Sequence, residues 1–269
     1  MGPRPMPSER RSRRYLPRAV LRGIVNRTAP LVIAAALWQA ASMIAGPDQN
    51  FVPGLPAIVA AALDLAAGAE IRDNLLVTLL RAGLGLAAAI PAGVAAGTAL
   101  ARSPAFDACV YPLVAATYSL PKAALIPLLI LWTGVGTVTS CLVVFLSCLL
   151  PVVVHTQQGI ASTPRVAVWS AQSMGADPAR LLWTVRLPHA LPAIFTGVRI
   201  ALGFSFVLAL SSEMVASTNG LGKLIFMYGE NGAYSYMFAA ILFIVAVAFL
   251  VDRALLAAGA WCLRWNRQG

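Results

Sequence analysis

The chain has 269 residues, of which 59% are hydrophobic and 11% are charged, and its mean hydropathy is +0.78. A soluble domain of this size needs a polar surface and cannot bury that much apolar area. The composition therefore excludes an ordinary cytosolic enzyme, a disulfide-rich secreted scaffold and a disordered chain. It indicates an all-α, polytopic membrane protein built from transmembrane helices.

The net charge of +10 is concentrated at the amino terminus. Residues 1–27 hold eight of the 20 basic residues together with Glu9, so this segment alone carries +7. We interpret residues 1–28 as a basic cytoplasmic tail without a fold of its own, which orients the first helix and can touch anionic lipid. A nucleic-acid site is not expected there, because an apolar segment follows at once. Residues 29–269 form the transmembrane domain.

Six apolar segments are predicted to cross the bilayer, which requires about 20 residues for each helix. They are residues 30–45, 75–101, 105–131, 137–160, 192–215 and a last one that begins near Tyr236 and runs past Val251. The first opens with Pro30 at a helix start, and the third is broken by three prolines. An even number of spans returns both termini to the cytoplasmic side.

Smaller features add detail to these spans. Residues 56–67 are predicted to form an interfacial helix on the outer surface, and residues 220–229 a short outer helix or re-entrant turn. Four small residues recur at every fourth position of the second span and so share one helix face, which predicts the close approach of a neighbouring helix. They are Gly85, Ala89, Gly93 and Gly97.

The cytoplasmic loop, residues 161–189, carries signals for two consecutive short helices. Thr163 stands before a proline and is typical of an N-cap, and Gly175 can close the first helix in a left-handed conformation. Asp177 stands before another proline and starts a second helix over residues 179–187. A rigid pair of helices projecting from the membrane is better explained as a docking site for a soluble partner than as a connector.

This loop resembles the EAA loop of permease subunits of bacterial ABC importers. In that family the loop runs Glu-Ala-Ala, three residues, Gly, and then Leu-Pro near the next helix. The matching residues are Ala171, Gly175, Leu187 and Pro188. Trp169 stands in place of the glutamate and Ser170 in place of an alanine. Residues 120–136, 196–203 and 213–222 also resemble the nitrate/sulfonate/taurine-type branch, so the likeness covers roughly residues 50–260.

The resemblance implies a MetI-like, type I importer fold in the bacterial plasma (inner) membrane. The chain would be the permease for a small, anionic solute such as a sulfonate, taurine or nitrate. Its partners would be a second permease subunit, expected to be another copy of the chain, a cytosolic ATPase dimer and an extracytoplasmic substrate-binding protein. The chain has no Walker A sequence, so ATP and Mg²⁺ are expected on the ATPase. We expect ATPase coupling through Ala171, Gly175, Ala176, Asp177, Leu187 and Pro188.

Polar groups in the third and fifth spans are candidates for the solute pathway, because polar side chains in a span usually face protein or water. They are Tyr118, Ser119, Lys122, Ser211, Ser212 and Glu213. Lys122 would suit an anion, although it could instead snorkel or pair with a carboxylate of its own subunit. Glu213 could instead tie down the outer loop. Arg81 and Arg199 are interpreted as anchors near span ends.

Neither a catalytic constellation nor a metal site is expected. His155 and His189 have no cysteine or carboxylate at metal-ligand spacing, and nothing resembles a nucleophile elbow. Three other classes remain open from the residues alone: an ion-coupled secondary transporter that works without an ATPase, an integral membrane enzyme, and a membrane anchor for a soluble complex. The identity of the solute cannot be read from this chain.

Overall fold

The computed structural model of the chain describes residues 16–45 and 51–264, and the regular elements within them are helices. The α-helices are α1 (Leu16–Ala45), α2 (Leu55–Ala67), α3 (Ala69–Arg102), α4 (Pro104–Ser119), α5 (Ile126–Thr133), α6 (Thr137–Ala161), α7 (Arg165–Ser173), α8 (Pro178–Leu181), α9 (Leu187–Ala216), α10 (Leu221–Glu230) and α11 (Tyr234–Cys262). A 3₁₀ turn over Lys122–Leu125 precedes α5, and a π turn over Leu182–Arg186 joins α8 to α9.

The chain divides into two compact units, residues 1–59 and residues 60–269. In the first unit, α1 holds the segment that leads into α2. The indole Nε1–H of Trp38 donates to the carbonyl oxygen of Pro53 at 3.0 Å, and the backbone N–H of Leu55 donates to Oε1 of Gln39 at 2.9 Å. These bonds fix the start of α2 against the second half of α1.

The first helix begins earlier than predicted. Pro30 was expected at a helix start, but α1 already begins at Leu16 and Pro30 lies inside it. A proline inside a helix removes only one backbone hydrogen bond, and the preceding residues include good helix formers such as leucine and arginine. Residues 16–28 of the predicted tail are therefore helical, and residues 1–15 lie outside the described part of the chain.

Four helical runs among the described residues are long and apolar enough to cross a membrane. They are Ala69–Arg102, Thr137–Ala161, Pro178–Ala216 and Tyr234–Cys262. Each contains one of the predicted spans. The first predicted span corresponds to the apolar part of α1, Ala29–Ile44, and the third is divided between α4 and α5.

The third predicted span, residues 105–131, is not one continuous helix. α4 ends at Ser119, and Leu120 and Pro121 are extended, with ψ values of 132° and 98°. The 3₁₀ turn and α5 follow. A proline has no N–H to donate and disfavours the helical conformation of the residue before it, which accounts for a break at this point.

The second short helix predicted for the loop is also different in the structure. α8, the π turn and α9 form one helical run over Pro178–Ala216, so the expected helix over residues 179–187 is continuous with the expected span. In the π turn the N–H of Leu187 bonds to the carbonyl of Leu182, five residues back. This wider turn shifts the bonding pattern just before Pro188, which cannot donate, and the helix continues.

The small-residue face of α3 packs against α6, as predicted. A Cβ added to Gly93 would lie 2.7 Å from Cβ of Val152, and one added to Gly97 would lie 2.7 Å from Cβ of Thr156. Ala89, one turn before Gly93 on the same face of α3, is fully buried. At these contacts the residue numbers increase in the same direction along both helices, so α3 and α6 run parallel.

α9 packs antiparallel against the other side of α6. A Cβ on Gly159 would lie 2.8 Å from Cβ of Ala193, and one on Gly197 would lie 2.8 Å from Cβ of His155. Small residues thus allow close approach on both sides of α6, and these contacts surround the apolar core of the second unit.

α11 packs beside α9 and is tied to it by a charged pair. Arg199 donates from Nε and from one terminal nitrogen to the two oxygens of Asp252, at 2.7 and 3.1 Å.

A buried ion pair joins α3 to α9 near the end of the bundle that carries α10. Arg81 and Glu213 lie 3.0 Å apart, and their side chains are 3% and 0% exposed. Glu213 also accepts from the hydroxyl of Thr78 at 2.8 Å and from the N–H of Gly222 at 3.0 Å. Arg81 also donates to the backbone carbonyl and side-chain oxygens of Asn219, at 2.9 and 2.7 Å.

The same network holds the start of α10. The N–H of Gly220 donates to Oδ1 of Asn74 at 2.6 Å, and the N–H of Leu221 donates to the hydroxyl of Thr78 at 2.9 Å. Gly220 has a φ of +105°, and a Cβ there would collide with the carboxylate of Glu213. The first N–H groups of α10, which have no partner within the helix, are therefore satisfied by side chains of α3 and α9.

We predict that Gly97→Val destabilises the protein, because a β-branched side chain would overlap Thr156 at the crossing of α3 and α6. Overpacking of this kind costs about 1–3 kcal/mol of the free energy of unfolding. Gly83→Val is the matched control, since it lies on the same helix with no atom within 4 Å of an added Cβ. Thermal unfolding of the detergent-solubilised proteins measures the difference. Equal effects of the two substitutions would contradict the packing.

We also predict that Glu213→Ala lowers the free energy of unfolding by about 3–5 kcal/mol, because it leaves the buried guanidinium of Arg81 without its carboxylate. The double variant Arg81→Met with Glu213→Leu should recover part of that loss. Arg72→Met is the control: it breaks an ion pair with Asp73 whose side chains are 72% and 64% exposed, which is worth about 1 kcal/mol or less. A loss in Glu213→Ala no larger than the control would refute the role of the pair.

Candidate functional site

A cavity of about 320 Å³ lies beside the break between α4 and α5. The break, α6 and α9 all contribute to its walls. The lining residues are Leu120, Pro121, Lys122, Ala123, Ser147, Pro151, Phe204, Val207, Leu208 and Ser211. Pockets that hold small molecules have volumes of about 300–1,000 Å³ and are mostly apolar with a few polar groups, so both size and composition fit a small solute.

The cavity lies at the middle of the bundle. Ser147 and Pro151 fall near the centre of the 25 residues of α6. Non-helical backbone at the depth of a membrane is tolerated only where it is buried in protein or lines a water-filled space, because its polar groups need partners. The extended residues Leu120 and Pro121 meet this condition, since both line the cavity.

The charge of the cavity is positive. Lys122 is half-buried in its wall, and none of the described lining residues is acidic. The carboxylates of α9 and α11 are engaged by guanidinium groups, Glu213 by Arg81 and Asp252 by Arg199. The cavity can therefore offer a cation and hydroxyl groups to an anion.

Its two serines keep their hydroxyl groups bonded to their own helices. Ser147 donates to the carbonyl of Val143 at 2.8 Å, and Ser211 donates to the carbonyl of Val207 at 2.9 Å. A hydroxyl rotates about its bond to carbon, so the exposed hydroxyl of Ser211 can turn to donate to a bound solute.

Of the predicted pathway residues, the structure places Lys122 and Ser211 together although they are far apart in the sequence. Ser212 is buried and donates to the carbonyl of Ala209 at 2.8 Å, and Glu213 is engaged by Arg81. Tyr118 and Ser119 end α4 next to the break, but their side chains lie outside what the structure describes. Ser147, Phe204 and Val207 were missed, because a serine or phenylalanine in an apolar helix gives no local signal of the wall it faces.

The turn between α7 and α8 has the predicted geometry. Gly175 has a φ of +80°, and the N–H of Ala176 donates to the carbonyl of Ala171 at 3.0 Å, which closes α7. Asp177 accepts from the N–H of Arg180 at 2.6 Å and so caps α8.

One expected cap is wrong. The hydroxyl of Thr163 does not cap α7: it donates to the carbonyl of Ile160 at 2.8 Å, and Pro164 occupies the N-cap position. The preceding helix, α6, ends at Ala161, so its last carbonyls compete for that hydroxyl. Thr163 therefore closes α6 instead of opening α7.

The solvent-exposed face of the loop formed by residues 161–189 is strongly apolar. Four large side chains are between 61% and 80% exposed: Val166, Trp169, Met174 and Trp183. Ala171, by contrast, is buried, and Leu187 packs against the core. The sequence analysis favoured the residues that shape the turn and missed Met174 and Trp183. Large apolar residues on short helices rich in arginine were the signal that could have found them. An exposed apolar surface of this kind marks a contact with another protein or with a membrane.

A second cavity, of about 510 Å³, lies between the end of α2, α10 and the start of α11. The hydroxyl of Tyr236 donates to Oδ2 of Asp64 at 2.9 Å, and the hydroxyl of Tyr228 donates to Oε2 of Glu70 at 3.5 Å. Burial, followed by the charge of Glu70, raises the pKa of Tyr228, so this phenol stays protonated. With two carboxylates in its wall, this cavity is unsuited to an anion.

Comparison with known proteins connects this architecture to transport. Residues 89–258 match the family described as "Binding-protein-dependent transport system inner membrane component". The taurine transport system permease protein TauC of Escherichia coli (strain K12) is 34% identical over 198 residues, which are 74% of this chain and 72% of TauC. The putative aliphatic sulfonates transport permease protein SsuC of the same organism is 30% identical over 232 residues, which are 86% of this chain and 88% of SsuC.

The fold is also that of a solved transporter. The chain matches a protein chain in a crystal structure of the MetNI methionine ABC transporter, solved in an inward-facing conformation. The TM-score is 0.59 at 20% sequence identity, and the match covers 74% of this chain and 95% of that chain. This likeness establishes a MetI-like fold.

A permease of this kind works in a membrane with an ATPase partner, so these comparisons do not support the ion-coupled secondary transporter that the residues alone left open. The family match covers more than half of the chain, and both relatives are permease components matched over most of their length. The chain therefore belongs to the family of binding-protein-dependent transport system inner membrane components, as the permease subunit of an ABC transporter.

Proposed function

We propose that this permease conducts a small anionic solute in an ATP-driven importer, and that the cavity beside Lys122 is part of the path. The observation that carries the proposal is the meeting of Lys122 and Ser211 in one cavity at mid-depth of the bundle. The names of the relatives support it, since taurine and aliphatic sulfonates both contain a sulfonate group.

A charged side chain in the middle of a span costs about 2.5–3.5 kcal/mol on insertion scales and is found where it serves a function. Lys122 would serve such a function by attracting the anion into the membrane. Tyr118 and Ser119 belong to the same break and are proposed to line the path with it. We assign Ser212 and Glu213 to holding α9 in place, because their polar atoms are engaged by the protein.

Coupling to the ATPase is proposed to run through residues 161–189. The six residues predicted for coupling shape the turn and hold it against the bundle. The apolar face with Trp169 and Trp183 would contact the ATPase. The helical run Pro178–Ala216 connects this loop to the cavity wall without interruption, so a push on α8 would move Phe204 and Ser211 as well. The coupling residues are Ala171, Gly175, Ala176, Asp177, Leu187 and Pro188.

The arrangement in the membrane is proposed as follows. The tail of residues 1–28, the coupling loop and the carboxyl terminus lie in the cytoplasm, in the plasma (inner) membrane of a bacterium. α10 lies on the outer side, where a substrate-binding protein would deliver the solute. A second permease subunit, proposed to be another copy of this chain, completes the path, and ATP with Mg²⁺ binds to the ATPase dimer.

We predict that Lys122→Gln lowers the uptake of a radiolabelled sulfonate by about tenfold or more, because a hydrogen bond to a charged group contributes about 1.5–3 kcal/mol. Uptake is measured in proteoliposomes that contain the whole transporter. Lys122→Arg keeps the charge and should retain most of the uptake, and Arg102→Gln, at the exposed end of α3, is the control. If Lys122→Gln transports like the control, the proposed path is wrong.

We predict that Gly175→Val uncouples the transporter: uptake falls while the ATPase still hydrolyses ATP. A β-branched residue at positive φ would distort the turn between α7 and α8. Gly232→Val is a matched control, because its φ of +71° resembles the +80° of Gly175 and neither site has an atom within 4 Å of an added Cβ. Normal assembly and uptake in Gly175→Val would contradict the docking assignment.

A further inference from the structure

The walls of the cavity beside Lys122 divide into a polar part and an apolar part. Lys122 stands on the segment that breaks the third span, and Ser147 and Ser211 line the same cavity from α6 and α9. The remaining wall is hydrocarbon, with Leu120 on one side and Phe204, Val207 and Leu208 on the other. The only charge among the described lining residues is positive.

We propose that this cavity selects organic monoanions whose body is uncharged and apolar, and that it discriminates against anions that also carry an ammonium group. The inference rests on the proposed function and narrows it. It assigns to the permease a share of the selection, with Lys122 holding the acid group and Phe204 and Val207 contacting the body of the solute.

Electrostatics disfavour a second, positive charge on the solute. An ammonium group that enters the cavity loses water, and the wall offers it no carboxylate in return. The carboxylates of α9 and α11 are held elsewhere: Glu213 accepts from Arg81, Thr78 and the N–H of Gly222, and Asp252 accepts from Arg199. The ammonium group of Lys122 also repels a second cation inside the same cavity.

The apolar area and the volume of the cavity favour a solute with an apolar body. Phe204 and Val207 are 40% and 58% exposed, so their side chains offer apolar surface that a solute can cover. A cavity of about 320 Å³ has roughly the volume of ten water molecules. An inorganic anion such as nitrate would leave most of this wall in contact with water. A chain of a few carbon atoms would displace that water and gain hydrophobic contact.

A pair of nearly isosteric probes separates these effects. Propane-1-sulfonate and taurine have the same sulfonate and chain length, but one ends in a methyl group and the other in an ammonium group. Binding is measured by equilibrium dialysis with the complex of permease and ATPase in nanodiscs. We expect propane-1-sulfonate to bind at least tenfold more tightly than taurine, and nitrate to bind more weakly than propane-1-sulfonate. Equal binding, or tighter binding of taurine, would overturn the inference.

Variants test the residues that are assigned this role. Val207→Asp places a carboxylate in the wall and should reverse the preference in favour of taurine. Ser211→Asp tests the same reversal at an already polar position, in case the first variant folds poorly. Ile200→Ala is the control, because it lies on the same helix outside the cavity and should leave the ratio unchanged. An unchanged ratio in the folded aspartate variants would refute the assignment.

Lys122→Gln distinguishes failure of this inference from failure of the proposed function. If it weakens both probes by a similar factor and the wild-type protein prefers propane-1-sulfonate, both proposals are supported. If it weakens both probes but the wild-type protein shows no preference, the anion path stands and the selection is refuted. If it weakens neither probe, the cavity is not the anion site and the proposed path fails as well.

Discussion

The ion pair between Arg81 and Glu213 decides where α9 and α10 can lie relative to α3. Removing both charges from water is costly, so the pair is stable only with its full set of hydrogen bonds, from Thr78, Asn219 and Gly222. Those partners come from α3, from the segment after α9 and from α10, which ties the three elements to one geometry. The rotation of α9 about its axis is then set, and the face with Phe204 turns toward the break after α4.

Close packing of α3, α6 and α9 has a second consequence. Where glycine and alanine allow backbones to touch, as at Gly93 and Gly159, no space remains for a solute. Space opens beside the interrupted helix, at the break formed by Leu120 and Pro121. The irregular backbone and the lysine that follows it thus coincide with a cavity whose one charged residue among the described lining residues is Lys122.

The helical run Pro178–Ala216 joins the two ends of the proposed mechanism. One end carries the apolar loop surface, its middle forms part of the cavity wall, and its far end carries Glu213. The π turn allows the run to pass Pro188 without a break, so under the proposed mechanism a displacement at the loop would be carried along one continuous helical run. A separate short helix joined by a flexible link would absorb such a displacement.

The amino-acid sequence by itself determined the membrane class, four of the apolar helices, the packing face of Gly93 and Gly97, and the turn at Gly175. These features depend on local composition, on helical periodicity and on glycine's access to positive φ, all of which act within a few residues. Only the tertiary structure decided that Glu213 pairs with Arg81 and that Ser211 and Lys122 line one cavity. Both depend on how far one helix is rotated against another, and that rotation is set by packing between segments distant in the sequence.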